Sequence, residues 1–178
     1  SVSRGLGDVY KRQGVGAGYS VNKKIIVGPN KLTGEWGQNP IPGPMDEYEK
    51  SVKRHCGRVG AVEVFLSGPG LENYYEHITK TKISSRDIVS LYRENDLVAG
   101  EVMDVYFERI ARSFSTFVNI LDPDVIVCGG GMSEIDEIYD EVPNRIIPYI
   151  ASNFFLTPIV KATHGSSSGV RGAAHLWN

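Results

Sequence analysis

The sequence is short of several things, and each shortage removes a class of function. It carries only two cysteines, Cys56 and Cys128, in 178 residues, too few for the disulfide framework that staples small secreted domains. Cys128 ends an apolar strand-like run and reads as a small buried hydrophobe, so no disulfide between the two is expected. There is no block of Lys or Arg, and the net charge is −2 at pH 7. Without a basic surface that could displace counterions, no nucleic-acid partner is expected. The longest apolar runs, such as Val125-Ile126-Val127-Cys128, are far too short to cross a bilayer, and no signal-peptide core follows the N-terminus. These absences predict a cytoplasmic protein without a membrane partner. The GxxxxGK[ST] phosphate loop is also missing, which excludes that form of nucleotide chemistry.

What is present is a globular composition, 41% apolar and 22% charged, which predicts one domain with a sizeable core. Residues 1–13 have neither period nor cap and differ in character from the rest of the chain, so they read as a non-native or disordered tail. From Gly14 the pattern changes. Two short runs, 18–21 and 24–27, flank Asn22-Lys23 and predict a hairpin. Residues 34–44 are so rich in Gly and Pro that they read as a surface loop without an element of its own.

Helical signals begin near Ala61, break at Ser67-Gly68-Pro69-Gly70 and resume in LENYYEHI, predicting two short helices. Ser84 caps a further helix. After Asn95-Asp96 comes the longest helix, in which Val98, Val102, Tyr106, Ile110, Phe114, Phe117 and Val118 form a core stripe up to Leu121. Asp122-Pro123 stops it. Next come a short apolar strand, a Gly129-Gly130-Gly131 turn and a Ser-capped helix over 135–150, then a strand over 158–162 and a closing helix over 170–176.

Three features could carry chemistry. Gly14, Gly16 and Gly18 alternate along a strand edge, and Gly129, Gly130 and Gly131 sit between a strand and a helix; both clusters let a ligand approach the backbone, although glycine turns are more often conformational. Glu35 lies between glycines in Gly34-Glu35-Trp36-Gly37, and Glu63 stands near a helix start. A carboxylate can accept hydrogen bonds from two neighbouring sugar hydroxyls. The plainer alternatives are a solvated charge for Glu35 and a helix-dipole partner for Glu63.

The order of the pieces adds to this. G-x-G-x-G, a hairpin, GEWG-x-NP, CG-x-x-G-x-x-E, SG-x-G, LDPDVIVCGGGMS and HG-x-SSGVRGAAHLW together resemble the ROK family of sugar kinases and related repressors, most of all its bacterial fructokinases. The resemblance covers residues 14–178. It implies an α/β fold of the actin-like ATPase, ribonuclease-H-like type, of which this chain is the C-terminal lobe, the N-terminal lobe being absent. The implied partners are a hexose and ATP with Mg²⁺, and a homodimer is among the assemblies it allows. The implied reaction is ATP-dependent phosphorylation of a hexose, fructose to fructose 6-phosphate in the first instance.

By the same resemblance, Gly14, Gly16 and Gly18 face the ATP phosphates, Gly129, Gly130, Gly131 and Met132 border the adenosine, and Glu35, Gln38 and Glu63 bind the sugar. The family's proton-accepting aspartate and first phosphate motif belong to the other lobe, so no residue of this chain is named as catalytic and the chain alone is expected to be inactive. Most members also hold a structural zinc through one histidine and three cysteines. Here those positions are Gln38, Arg54, Cys56 and Ala61. One thiol beside His55 falls short of four ligands, so no zinc is expected. His164 reads as structural. The alternative function is that of a sugar-responsive transcriptional repressor of the same family.

Overall fold

The computed structural model describes residues 14–54 and 56–164. Its centre is the longest helix. Asp96 starts that helix by accepting a 2.8 Å hydrogen bond from the Ala99 amide, and α5 (Leu97–Leu121) then runs until Asp122 turns left-handed at φ 43° ahead of Pro123. Val102, Tyr106, Ile110 and Val118 of the expected stripe are buried, with Val98, Phe114 and Phe117 half-buried at its ends. α2 (Glu63–Leu66), α3 (Gly68–Thr79), α4 (Ser85–Arg93) and α6 (Ile138–Arg145) pack around it. Ser84 caps α4 through a reciprocal box with Asp87, as its position predicts.

On the far side, β3 (Ile126–Cys128) and β4 (Ile159–Lys161) pair in parallel, with Ile126 opposite Ile159, and α6 lies between them in sequence. One face of this pair buries Ile126 and Ile159, while Val127 and Val160 face outward. At the other end β1 (Ser20–Val21) and β2 (Lys24–Ile25) form the expected hairpin, shorter than the apolar runs suggest. Asn22 and Lys23 both take positive φ, 50° and 63°, so the turn twists as the strands do.

Three expectations are corrected. The segment over 135–150 is not one helix. Gly131–Glu134 makes a 3-10 turn, α6 begins only at Ile138, and Ile147–Tyr149 is again 3-10. Ser133 does not cap α6: its hydroxyl turns back to donate to the Gly130 carbonyl at 2.7 Å. Pro148 has no N–H to return to the Asn144 carbonyl, so the α-helical ladder does not run on through it. Secondly, the Gly/Pro-rich loop contains a 3-10 turn, Glu35–Gln38. Thirdly, a short helix, α1 (Glu47–Ser51), follows that loop. Its signal was present as Asp46-x-x-Glu49, the spacing of a capping box, and both reciprocal bonds form. The expected closing helix over 170–176 lies outside the described residues. Among the described residues no helix is long and apolar enough to cross a membrane.

α1 matters because of one residue. Glu49 has no exposed surface, and its carboxylate is shared by two arginines of α5: Arg109 Nε donates at 2.9 Å, Arg112 Nη1 and Nη2 each at 3.2 Å. Arg109 is enclosed by the rings of Tyr74, Phe65 and Tyr48, its guanidinium carbon 4.2 Å from the first ring centroid. Arg112 also donates to the Pro42 carbonyl at 2.8 Å. Removing one partner of such a network strands the others as buried charges. Glu49→Ala is therefore expected to cost about 3–5 kcal/mol in urea denaturation. Asp46→Ala, which loses the cap and a half-exposed pair with Arg109, should cost about 1 kcal/mol.

Candidate functional site

The site is built where the glycine-rich segment 14–18, which belongs to no strand and so corrects the expected strand edge, meets the GEWG turn. Residues 14–18 run alongside this turn, and the Ala17 amide donates to the Gly34 carbonyl at 2.9 Å. Contact this close excludes side chains. A Cβ on Gly37 would collide with the Val15 carbonyl, and one on Gly34, where φ is 93°, with the Ala17 carbonyl. Trp36, between these glycines, fastens the turn to the core: its ring stands edge-on to Phe117 and Phe114 of α5, with centroids 5.3 and 6.2 Å away. Glu35 is thereby left at the surface of an open depression lined by Leu32, Gly34, Glu35, Trp36, Gln38, Asn39 and Arg58.

Glu63 reaches the same segment at Gly14. It opens α2, and its Oε2 would lie 2.7 Å from a Cβ placed on Gly14. Glu35 stands in the turn that meets Gly16 and Ala17. Neither is as plain as its alternative. Glu35 is exposed but accepts a 3.0 Å bond from Gln38 Nε2, and Gln38 Oε1 in turn accepts from Arg58 at 3.4 Å. Glu63 is half-buried and ion-paired with Arg54. Arg54 also donates to Cys56 Sγ at 3.5 Å. The Cys56 thiol is held below its ordinary pKa, first by the Arg58 backbone and then by the Arg54 guanidinium.

The second glycine cluster lies elsewhere. Gly129, Gly130 and Gly131 are exposed, and only Gly130, with φ 93°, needs glycine for its conformation. Met132 is half-buried, its sulfur packed towards Gly68 at the start of α3, where Ser85 also approaches. The structure thus brings Gly14, Gly16, Glu35, Gln38 and Glu63 together. Of the second cluster only Met132 is seen to border the turn that follows Glu63 and α2, while Gly130 and Gly131 have open space beside them. Gly18 leads from this segment towards the hairpin with open space beside it.

Sequence reasoning missed the arginines. Arg54 and Arg58 partner the two acidic branches of the site, from positions that the sequence separates from Glu63 and Gln38 by 9 and 20 residues. Their signal was two basic residues flanking Cys56-Gly57, meaningful only once the chain there is seen to fold back on itself. The same positions bear on a metal. Gln38, Arg54, Cys56 and Ala61 offer a single thiol, with a guanidinium beside it, and do not fit a tetrahedral zinc ion. Among the described residues no group of three or more His, Cys, Asp or Glu side chains is placed to hold a metal.

The close approach of segment and turn is testable. Gly37→Ala forces Val15 away and should cost about 1–3 kcal/mol. Gly18→Ala meets nothing within 4 Å and should change stability by less than about 0.5 kcal/mol. Thermal melts of both variants check the difference.

Residues 9–178 match the ROK family. An N-acetyl-D-glucosamine kinase of Vibrio atlanticus (strain LGP32) is 36% identical over 167 residues, 92% of this chain and 55% of its own length. This chain spans about half the length of the curated relatives it matches. The ROK family glucokinase of Streptomyces griseus, solved with glucose and AMPPNP, superposes with a TM-score of 0.78 at 20% identity, over 92% of this chain and 57% of that one. The ROK hexokinase of Thermus thermophilus gives 0.76 at 21% identity, over 91% and 53%. The fold is therefore that of the ROK kinases, the actin-like ATPase architecture that the motifs imply, over about half of its extent. These relatives carry names other than fructokinase, so the expected preference for fructose has no specific support. With the site's glycines and carboxylates in the order the motifs require, the chain belongs to the ROK family.

Proposed function

We propose that this chain forms part of an ATP-dependent sugar kinase, and that N-acetyl-D-glucosamine is the first hexose to test. The observation that carries the reading is the placing of Glu63 against Gly14 and of Glu35 in the turn that packs at backbone distance on residues 15–17 of the glycine-rich segment. Such a segment lets nucleotide phosphates come within reach of main-chain amides. The two carboxylates can each accept hydrogen bonds from adjacent sugar hydroxyls and so hold one hydroxyl in line with the terminal phosphate. Phosphoryl transfer asks little covalent help of a protein beyond this alignment and the offsetting of charge. Mg²⁺ accompanies the nucleotide's phosphates.

Each residue then has a role. Glu35, Gln38 and Glu63 position the sugar. Gly14, Gly16 and Gly18 face the phosphates, and Gly129, Gly130, Gly131 and Met132 form the nucleoside border beside Gly68. The preference for an amino sugar over fructose is supported by the names of the relatives at 36% identity. In this reading Glu35 and Glu63 recognise hydroxyls common to many hexoses, so these carboxylates do not by themselves choose among sugars.

The test is a coupled ADP-release assay of the full-length protein on N-acetyl-D-glucosamine, glucose, mannose and fructose. Turnover with at least one is expected. Absence of turnover with every sugar overturns the reading, and sugar binding without turnover moves it to a sugar-responsive regulator. Glu63→Gln keeps the shape but weakens acceptance of sugar hydroxyls. It should raise the sugar KM by about tenfold or more while leaving the ATP KM within about twofold.

A further inference from the structure

We propose that Arg54 is a positioning residue that takes the place of a metal, so that the sugar side of this site is held by an arginine clamp independent of zinc. The inference rests on the kinase reading for what the clamp positions, but not for how it is built.

Residues 53–54 and 56–59 fold back on each other as a tight hairpin. Lys53 bridges Val59, the Arg54 amide donates to the Arg58 carbonyl at 2.8 Å, and the Gly57 amide returns to the Arg54 carbonyl at 2.8 Å. Gly57, at φ 84°, makes that turn possible. The base of the hairpin is tied to the GEWG segment by Ile41 N to Gly60 O at 2.7 Å and Val62 N to Asn39 O at 2.9 Å. Two arginines therefore project from one rigid hairpin. Arg54 pairs with Glu63, each side chain over four-fifths shielded from solvent. Arg58 reaches Gln38, and Gln38 reaches Glu35.

Every branch of the candidate sugar site thus ends on this hairpin. A metal held by thiolates and an imidazole would join the same two segments, the turn at 38 and the chain at 54–61, through one point. Here that join is made by the Arg58–Gln38 hydrogen bond and the backbone pairs from Asn39 and Ile41, while Arg54 fixes Glu63 to the hairpin. The guanidinium 3.5 Å from Cys56 Sγ also sets a fixed positive charge where a divalent cation would have to sit, and repels it. A planar, permanently charged fork serves this role better than an ammonium, because it can meet the carboxylate and the sulfur together.

Three measurements test the clamp. Zinc is assayed by mass spectrometry of the metal after purification from zinc-supplemented medium, and well below one equivalent per chain is expected. Iodoacetamide labelling of Cys56, read by peptide mapping, should run at the same rate with and without EDTA. Bound zinc near one equivalent, with labelling that EDTA accelerates, would overturn the proposal. In the sugar-kinase assay, Arg54→Ala should raise the sugar KM by about tenfold with a smaller change in kcat, and Arg54→Lys should recover part of the loss. An unchanged sugar KM in a folded Arg54→Ala protein refutes the positioning role. A protein that turns over no sugar sinks the kinase reading alone, because the metal and labelling results still decide how the hairpin is held.

Discussion

The structure hangs on a buried carboxylate. Glu49 is fully enclosed, and its two oxygens are divided between Arg109 and Arg112 on one turn of α5. Desolvating three charges is costly, and the cost is offset by the hydrogen bonds that Arg109 and Arg112 make to Glu49, Asp46 and the Pro42 and Pro44 carbonyls and by the aromatic faces around Arg109. The arrangement is all or none. Its effect is to press α1 and the proline loop that precedes it onto the spine helix, with Arg112 gripping the Pro42 carbonyl. The candidate site stands on that loop.

From there the chain of support is continuous. α5 offers Phe114 and Phe117 to Trp36, which pins the 3-10 turn carrying Glu35 and Gln38. Gly34 and Gly37 let this turn lie against residues 15–17 at backbone distance. Glu63, at the first turn of α2, meets the same segment at Gly14. An exposed carboxylate is therefore placed by a half-buried ring, and a glycine-rich segment by two other glycines. The precision comes from packing against the helix, since the loop has few hydrogen bonds of its own.

Much of this was legible in residue order. The long helix, its Asp96 start, its Asp122-Pro123 stop and the Asn22-Lys23 turn come from local rules that need no tertiary context. α1 obeys the same rules, and the Asp46-Glu49 spacing announced it, but its five residues were hidden beside a run of prolines and glycines. The split at 135–150 was less visible. There the apolar spacing is helical throughout, and Ser133 satisfies the Gly130 carbonyl instead of capping. A period cannot tell one helix from a turn, a helix and another turn in register.

By itself the sequence determined the family, the helical spine and the identity of the glycines and carboxylates, because these depend on residue type and short spacing. Only the tertiary structure decided what those carboxylates touch. Arg54 and Glu63, like Arg58 and Gln38, are brought together by a hairpin whose closure depends on Gly57 and on its pairing to the GEWG segment. Contacts between residues 9 or 20 apart along the chain leave no periodic trace. They are set by where the backbone turns, and that is fixed only when α5 has gathered the loop against the core.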